Sequence, residues 1–118
     1  MNRVQVIVDA CVAARKAGLK YTPTEWGVEA SRVGARYKAE RDRVCLLGAF
    51  LIEKKCLKSC SRPSAVAHYL KVSKDWISGL INAVEGYPLV NNLRKFGHQA
   101  GLKVLAHPEV VRWIRDSA

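Results

Sequence analysis

The chain has 118 residues, 49% of them hydrophobic, with 20 Lys and Arg against 10 Asp and Glu, a formal net charge of +10 at pH 7. That length and apolar content suit one compact domain with a real core and leave little room for two. The positive excess favours a polyanionic partner such as nucleic acid, and the longest apolar run, Val44 to Ile52, is too short to span a membrane.

The first expected element is a helix from Asn2 to Ala17, with Val4, Ile7, Val8, Cys11, Val12 and Ala14 on its apolar side and Gly18 placed to end it. Gln5, Asp9, Arg15 and Lys16 interrupt the apolar residues, so the segment reads as an amphipathic helix and not as a secretory signal. Thr22 and Glu25 have capping-box spacing with Pro23 at the first helical position, and Trp26, Ala30, Val33 and Tyr37 continue at helical intervals. Gly27 and Gly34 weaken that helix and admit an irregular or strand-like excursion. Asp42 to Cys56 reads as a stronger helix: Val44, Leu47, Leu51 and Ile52 share a side, and Cys45, Ala49 and Cys56 lie beside it. Little of it is left to face water, so it is expected at the centre of the core, with Gly48 and Ala49 letting another helix come close. Ser59 to Ser64, with Pro63, is a turn.

Pro63 to Val84 carries two short helical periods around a break. Val66, Ala67 and Leu70 form the first, Lys71-Val72-Ser73 interrupts, and Ile77, Leu80 and Ile81 form the second. Ser73 is a good N-cap for the second helix, Ala67 is small where the helices would cross, and Val72 would fill the corner. This stretch resembles the helix-turn-helix of bacterial and phage DNA-binding regulators, whose second helix enters the major groove. The resemblance implies a buried set of Val66, Leu70, Val72, Ile77 and Leu80 and a groove-facing set of Ser73, Lys74, Asp75, Ser78, Gly79 and Asn82. Lys71 stands where such turns usually carry Gly, so a left-handed backbone there would carry a modest steric cost. Trp26, Cys45-Leu46-Leu47-Gly48-Ala49 and Val72-Ser73-x-x-Trp76 also look like a group of small uncharacterised bacterial and phage proteins. That likeness implies a shared fold more than an activity.

After Gly86, Tyr87-Pro88 is expected to open a further helix, with Leu89, Leu93, Phe96 and Ala100 on one side and Gly97 and Gly101 near its end. Asn91, Asn92, Arg94, Lys95, His98 and Gln99 make its polar face, a mix able to meet phosphates or bases or simply to face solvent. His107-Pro108 starts a last helix, whose Val110, Val111, Trp113 and Ile114 should dock on the core.

The charge excess is uneven. Residues 32–62 hold nine cations against three anions, six of the ten excess charges. Within them Arg32, Arg36, Lys38, Arg41 and Arg43 precede the apolar run, while Lys54, Lys55, Lys58 and Arg62 follow it and lead straight into the helix-turn-helix. With Lys71 they are the expected phosphate clamps, while the second helix adds register. Cys11, Cys45, Cys56 and Cys60 are expected to be reduced in a cytoplasmic protein. Cys56-x3-Cys60 and His68 lack a fourth ligand at a sensible spacing, so no metal site is expected. His68, His98 and His107 lie on different elements, none beside an acid or thiol, and no phosphate loop or paired-carboxylate motif occurs. Neither enzymatic activity nor a cofactor is expected.

The sequence therefore reads as an all-α single domain of five or six helices built round Asp42–Cys56, with a helix-turn-helix at residues 63–84 that binds duplex DNA. The alternative is a protein-interaction module, an adaptor or inhibitor, in which the same corner is scaffold and Trp26, Trp76 or Trp113 anchors the partner. The two differ in salt dependence, which is steep only for phosphate contacts.

Overall fold

A computed structural model describes residues 1–22, 43–44, 46–53 and 62–118. Its elements run α1 (Arg3–Lys16), β1 (Lys20–Tyr21), β2 (Arg43–Val44), α2 (Leu46–Glu53), α3 (Arg62–Leu70), α4 (Lys74–Val84), a 3-10 turn (Asn92–Arg94), α5 (Lys95–Ala106) and α6 (Pro108–Asp116). The described chain is thus mostly helical, and its helices share one hydrophobic cluster. The capping-box partner Glu25 and the Trp26 to Tyr37 period lie outside the described residues. Thr22 itself is described: its backbone N–H donates to Val44 O at 2.9 Å, and its buried Oγ1 has no hydrogen-bond partner.

Helix α1 begins where the Asn2 side chain accepts from the Gln5 backbone N–H at 3.0 Å, and it closes at Ala17, followed by Gly18 at φ +81°. Both ends follow from residue chemistry: an N-cap acceptor at one and a left-handed glycine at the other. Ile7, Val8, Cys11 and Ala14 are buried as the periodicity implies, with Ala10 beside them, while Val4 and Val12, expected on the same side, are only partly buried. The buried Cys11 thiol is not in a disulfide. Arg3 ties the start of α1 to the end of α3, its Nε donating to Leu70 O at 2.9 Å. A cation placed on the last carbonyls of a helix is the arrangement its dipole favours.

The helix expected from Asp42 to Cys56 does not include Arg43 and Val44, and residues 42, 45 and 54–56 of it lie outside the described residues. Arg43 and Val44 are extended and pair in parallel with Lys20 and Tyr21, and helix begins only at Leu46. Val44 is β-branched and fully buried, so a partner strand meets its backbone needs as well as a helical turn would. Leu46, Leu47, Ala49 and Phe50 are then buried to within 2% exposure, as a core helix requires. Phe50 meets Tyr69 of α3 edge-on at 5.3 Å between ring centroids.

Helices α3 and α4 are joined by Lys71, Val72 and Ser73. Val72 N–H donates to Ala67 O at 3.1 Å and Lys71 N–H to His68 O at 3.3 Å, with Lys71 left-handed at φ +57°. These are the two bonds of a Schellman closure, with lysine at the position where glycine is easiest. Ser73 Oγ then accepts from Trp76 N–H at 3.1 Å and caps α4. Val66, Ala67, Leu70, Ile77 and Leu80 are buried and Val72 is half-buried at the corner.

The helix expected from Tyr87 starts later and turns the other way. Residues 87–91 are non-helical, and α5 runs from Lys95. Its buried residues are Gly97, Ala100, Gly101 and Val104, whereas Leu89, Leu93 and Phe96, expected on the packed side, are exposed, Phe96 by 70%. The reason is the approach of α4. A Cβ on Gly97 would overlap the Trp76 carbonyl, and one on Gly101 would stand 2.7 Å from the Ala83 Cβ and 3.0 Å from Leu80 O. Glycine without a side chain lets the two backbones touch, and that contact sets which face of α5 is inside.

In α6, His107 Nδ1 accepts from Glu109 N–H at 3.2 Å and Pro108 occupies the first turn. Val110 and Trp113 are buried and Ile114 is partly so, but Val111, expected on the core, is 46% exposed. One residue on from Val110, it is carried about 100° round the helix and off the narrow docking stripe. Trp113 Nε1 donates to Leu19 O at 2.8 Å, and Ser117 Oγ accepts from Tyr21 N–H at 2.8 Å, so α6 holds β1 in place. Trp113, 1% exposed, is core and not an interface anchor. No described helix is long and apolar enough to cross a membrane.

Candidate nucleic-acid interface

Contacts between α4 and α5 are in register along both chains: Trp76 meets Gly97, and Leu80 meets Gly101. Equal steps in the same direction mean that the two helices run parallel, with residues 85–94 returning the chain to the start. Lys74, two residues before Trp76, is therefore level with Lys95, two before Gly97. Both helix N-termini, with Lys71 just ahead of α4, lie at the same end of this helix pair.

That end is basic. Lys71, Lys74 and Lys95 are exposed, Arg94 is half-buried, and no salt bridge among the described residues involves any of the four. Arg3 adds a fifth cation beside Lys71, its Nη2 at 3.4 Å from Lys71 O. The start of α4 contributes the same sign, because the first N–H groups of a helix carry partial positive charge, whereas at α5 the preceding 3-10 turn takes up the first of them, Lys95 N–H donating to Asn92 O. Asp75 is the acid in the first turn of α4, and α5 has none in its first turn.

The expected groove-facing residues separate into two groups. Ser73 and Lys74 are exposed at the start of α4, while Asp75, Ser78 and Asn82 are half-buried. Gly79 is buried, and a Cβ there would overlap Arg94 O and come within 2.8 Å of the His98 amide. Its expected place on an open face is thus corrected, because the start of α5 covers it. Of the eleven residues of α4 only Lys74 is exposed. A helix covered on that side presents its first turn to a partner and not its length.

Among the remaining expected contacts, Lys71 is at the exposed corner and Arg62 opens α3. Arg32, Arg36, Lys38, Arg41, Lys54, Lys55 and Lys58 lie outside the described residues, as do Cys45, Cys56, Cys60 and Trp26. Lys95 joins the site although its place in the sequence shows only a polar helix face. The signal for it was the four-residue spacing of Gly97 and Gly101, which lie against Trp76 and Leu80. Among the described residues no group of His, Cys, Asp and Glu is arranged to hold a metal ion. His68, His98 and His107 stand apart, with His98 Nε2 at 3.3 Å from Tyr87 O and His107 used as a cap. Comparison of the chain with family models, curated proteins and solved structures returned no match.

Proposed function

We propose that the chain is a small DNA-binding protein whose α3–α4 corner acts as a helix-turn-helix, docking on duplex phosphates through the end formed by Lys71, Ser73, Lys74 and Lys95. The observation that carries this reading is the parallel packing of α4 on α5, which aligns two helix N-termini and their unpaired cations. Phosphate contacts give affinity and register without sequence information. Base readers need side chains that reach the groove, and on α4 only the first turn is free to do so. Binding is therefore sequence-tolerant, with Asp75, Ser78 and Asn82 at the margin of the contact. Lys54, Lys55, Lys58 and Arg62, which precede or open α3, extend the phosphate contact in this proposal.

The test is fluorescence anisotropy with a random-sequence duplex between about 50 and 200 mM salt. Replacing Lys71 and Lys74 with Gln should weaken binding and reduce the salt slope by about one per lysine. Lys16→Gln, at the far end of α1 from the Arg3 contact with α3, is the control and should change neither. Absence of duplex binding at low salt, or a double variant indistinguishable from the parent, would refute the proposal. The protein-interaction reading would then stand.

A further inference from the structure

The connection between α4 and α5 is unusually apolar for a surface segment. Tyr87, Leu89, Val90, Leu93 and Phe96 are all exposed within ten residues, Val90, Leu93 and Phe96 each by 66% or more. Isolated exposed hydrophobes are ordinary, but five within the connection and the first turn of α5 mark a surface that another molecule covers. Its position is held: Tyr87 N–H donates to Asn82 O at 2.6 Å, and Asn91 Oδ1 accepts from Leu93 N–H at 2.7 Å.

The charges around it select the partner. No Asp or Glu occurs between Gly86 and Pro108, a span that contains Arg94, Lys95 and Lys103. None of these cations is in a salt bridge among the described residues, and Arg94 Nε is buried without a hydrogen-bond partner. On α5, Lys103 follows Phe96 by seven residues and so lies on the same side of the helix.

We infer that the Tyr87–Phe96 surface docks an acidic amphipathic segment of another protein, whose apolar side chains cover Leu93 and Phe96 while its carboxylates meet Arg94, Lys95 and Lys103. A second copy of the chain is a poor occupant, since a two-fold contact would set this cationic edge against itself. Nucleic acid would find rings to stack on only at Tyr87 and Phe96, and the aliphatic Leu89, Val90 and Leu93 between them suit apolar side chains better than bases. The inference does not depend on the DNA reading: Arg94 and Lys95 also belong to the basic end, but the apolar residues and Lys103 that define this surface have no part in the duplex contact.

The probe is a labelled synthetic helix with leucines at successive turns flanked by glutamates, paired with an analogue carrying lysines in place of the glutamates. In anisotropy titrations the full chain should bind the glutamate peptide at micromolar concentration and the lysine peptide about tenfold or more weakly. A Leu93→Ser, Phe96→Ser double variant should lose the peptide while keeping the parent's melting temperature and duplex affinity, and Lys103→Glu should narrow the difference between the two peptides. Equal binding by the double variant, or binding of neither peptide, would overturn the inference. So would a concentration-dependent dimer of the parent that the double variant abolishes, which would make the occupant a second copy. Lost duplex affinity in the double variant would instead assign the surface to nucleic acid. Failure of the DNA proposal is read separately, from the Lys71/Lys74 variant.

Discussion

Everything proposed for the basic end and the apolar surface rests on which face of α5 meets α4, and substitution of two adjacent residues tests it. Gly97→Ala adds one methyl group against the Trp76 backbone, where the added carbon would overlap the carbonyl oxygen and stand 2.6 and 2.9 Å from the carbonyl carbon and Cα. A flexible side chain could swing away, but a helix backbone has to move as a whole. The steric cost therefore sits at the upper end of overpacking, about 3 kcal/mol. Alanine recovers about 1 kcal/mol of helix propensity relative to glycine, so the net loss is about 2 kcal/mol. For a chain of this size that lowers Tm by roughly 8 °C. Phe96→Ala, next in the chain, removes a side chain that is 70% exposed and should cost no more than about 0.5 kcal/mol. Thermal and urea unfolding followed by circular dichroism measures both. Were Phe96 the packed residue that the apolar pattern suggests, its truncation would cost about 3–5 kcal/mol and Gly97→Ala would be neutral or stabilising. That reversed order would refute the α4–α5 packing and with it the alignment of Lys74 with Lys95.

Lys71→Gly relieves a left-handed backbone at φ +57° and should raise stability by about 0.5–1 kcal/mol while lowering duplex affinity through the lost charge, a combination that unfolding and anisotropy measure together. A loss of stability in that variant would contradict the corner geometry. Ile77→Ala, at a position 1% exposed, should cost about 2–5 kcal/mol in denaturant unfolding whatever the chain binds. Trp113→Phe keeps the apolar bulk but removes the 2.8 Å bond to Leu19 O, and should cost about 1–3 kcal/mol because that acceptor loses its donor in a part-buried place. An unfolding midpoint unchanged from the parent would show the bond to be dispensable.

Elements closed by local chemistry could be read directly from the residues. Asn2 and Gly18 bound α1, Ser73 caps α4, and His107-Pro108 opens α6, because each acts on backbone groups within a turn of itself. The stripe Ile7, Val8, Cys11 and Ala14 and the corner set Val66, Leu70, Ile77 and Leu80 followed for a similar reason: an apolar residue repeating at helical spacing has one side on which to be buried. Tertiary structure decided the rest. Arg43 and Val44 are strand only because Lys20 and Tyr21, distant in the chain, lie alongside them. Gly79, Gly97 and Gly101 pack through side chains they do not have, so a hydrophobic pattern gives them no weight and assigns the inside of α5 to Leu93 and Phe96 instead. The same close approach covers one side of α4, leaves its first turn open beside Lys95, and turns the apolar residues of the connection outward. A periodic pattern records how apolar a helix face is; which face is buried also depends on how near the neighbouring backbone can come.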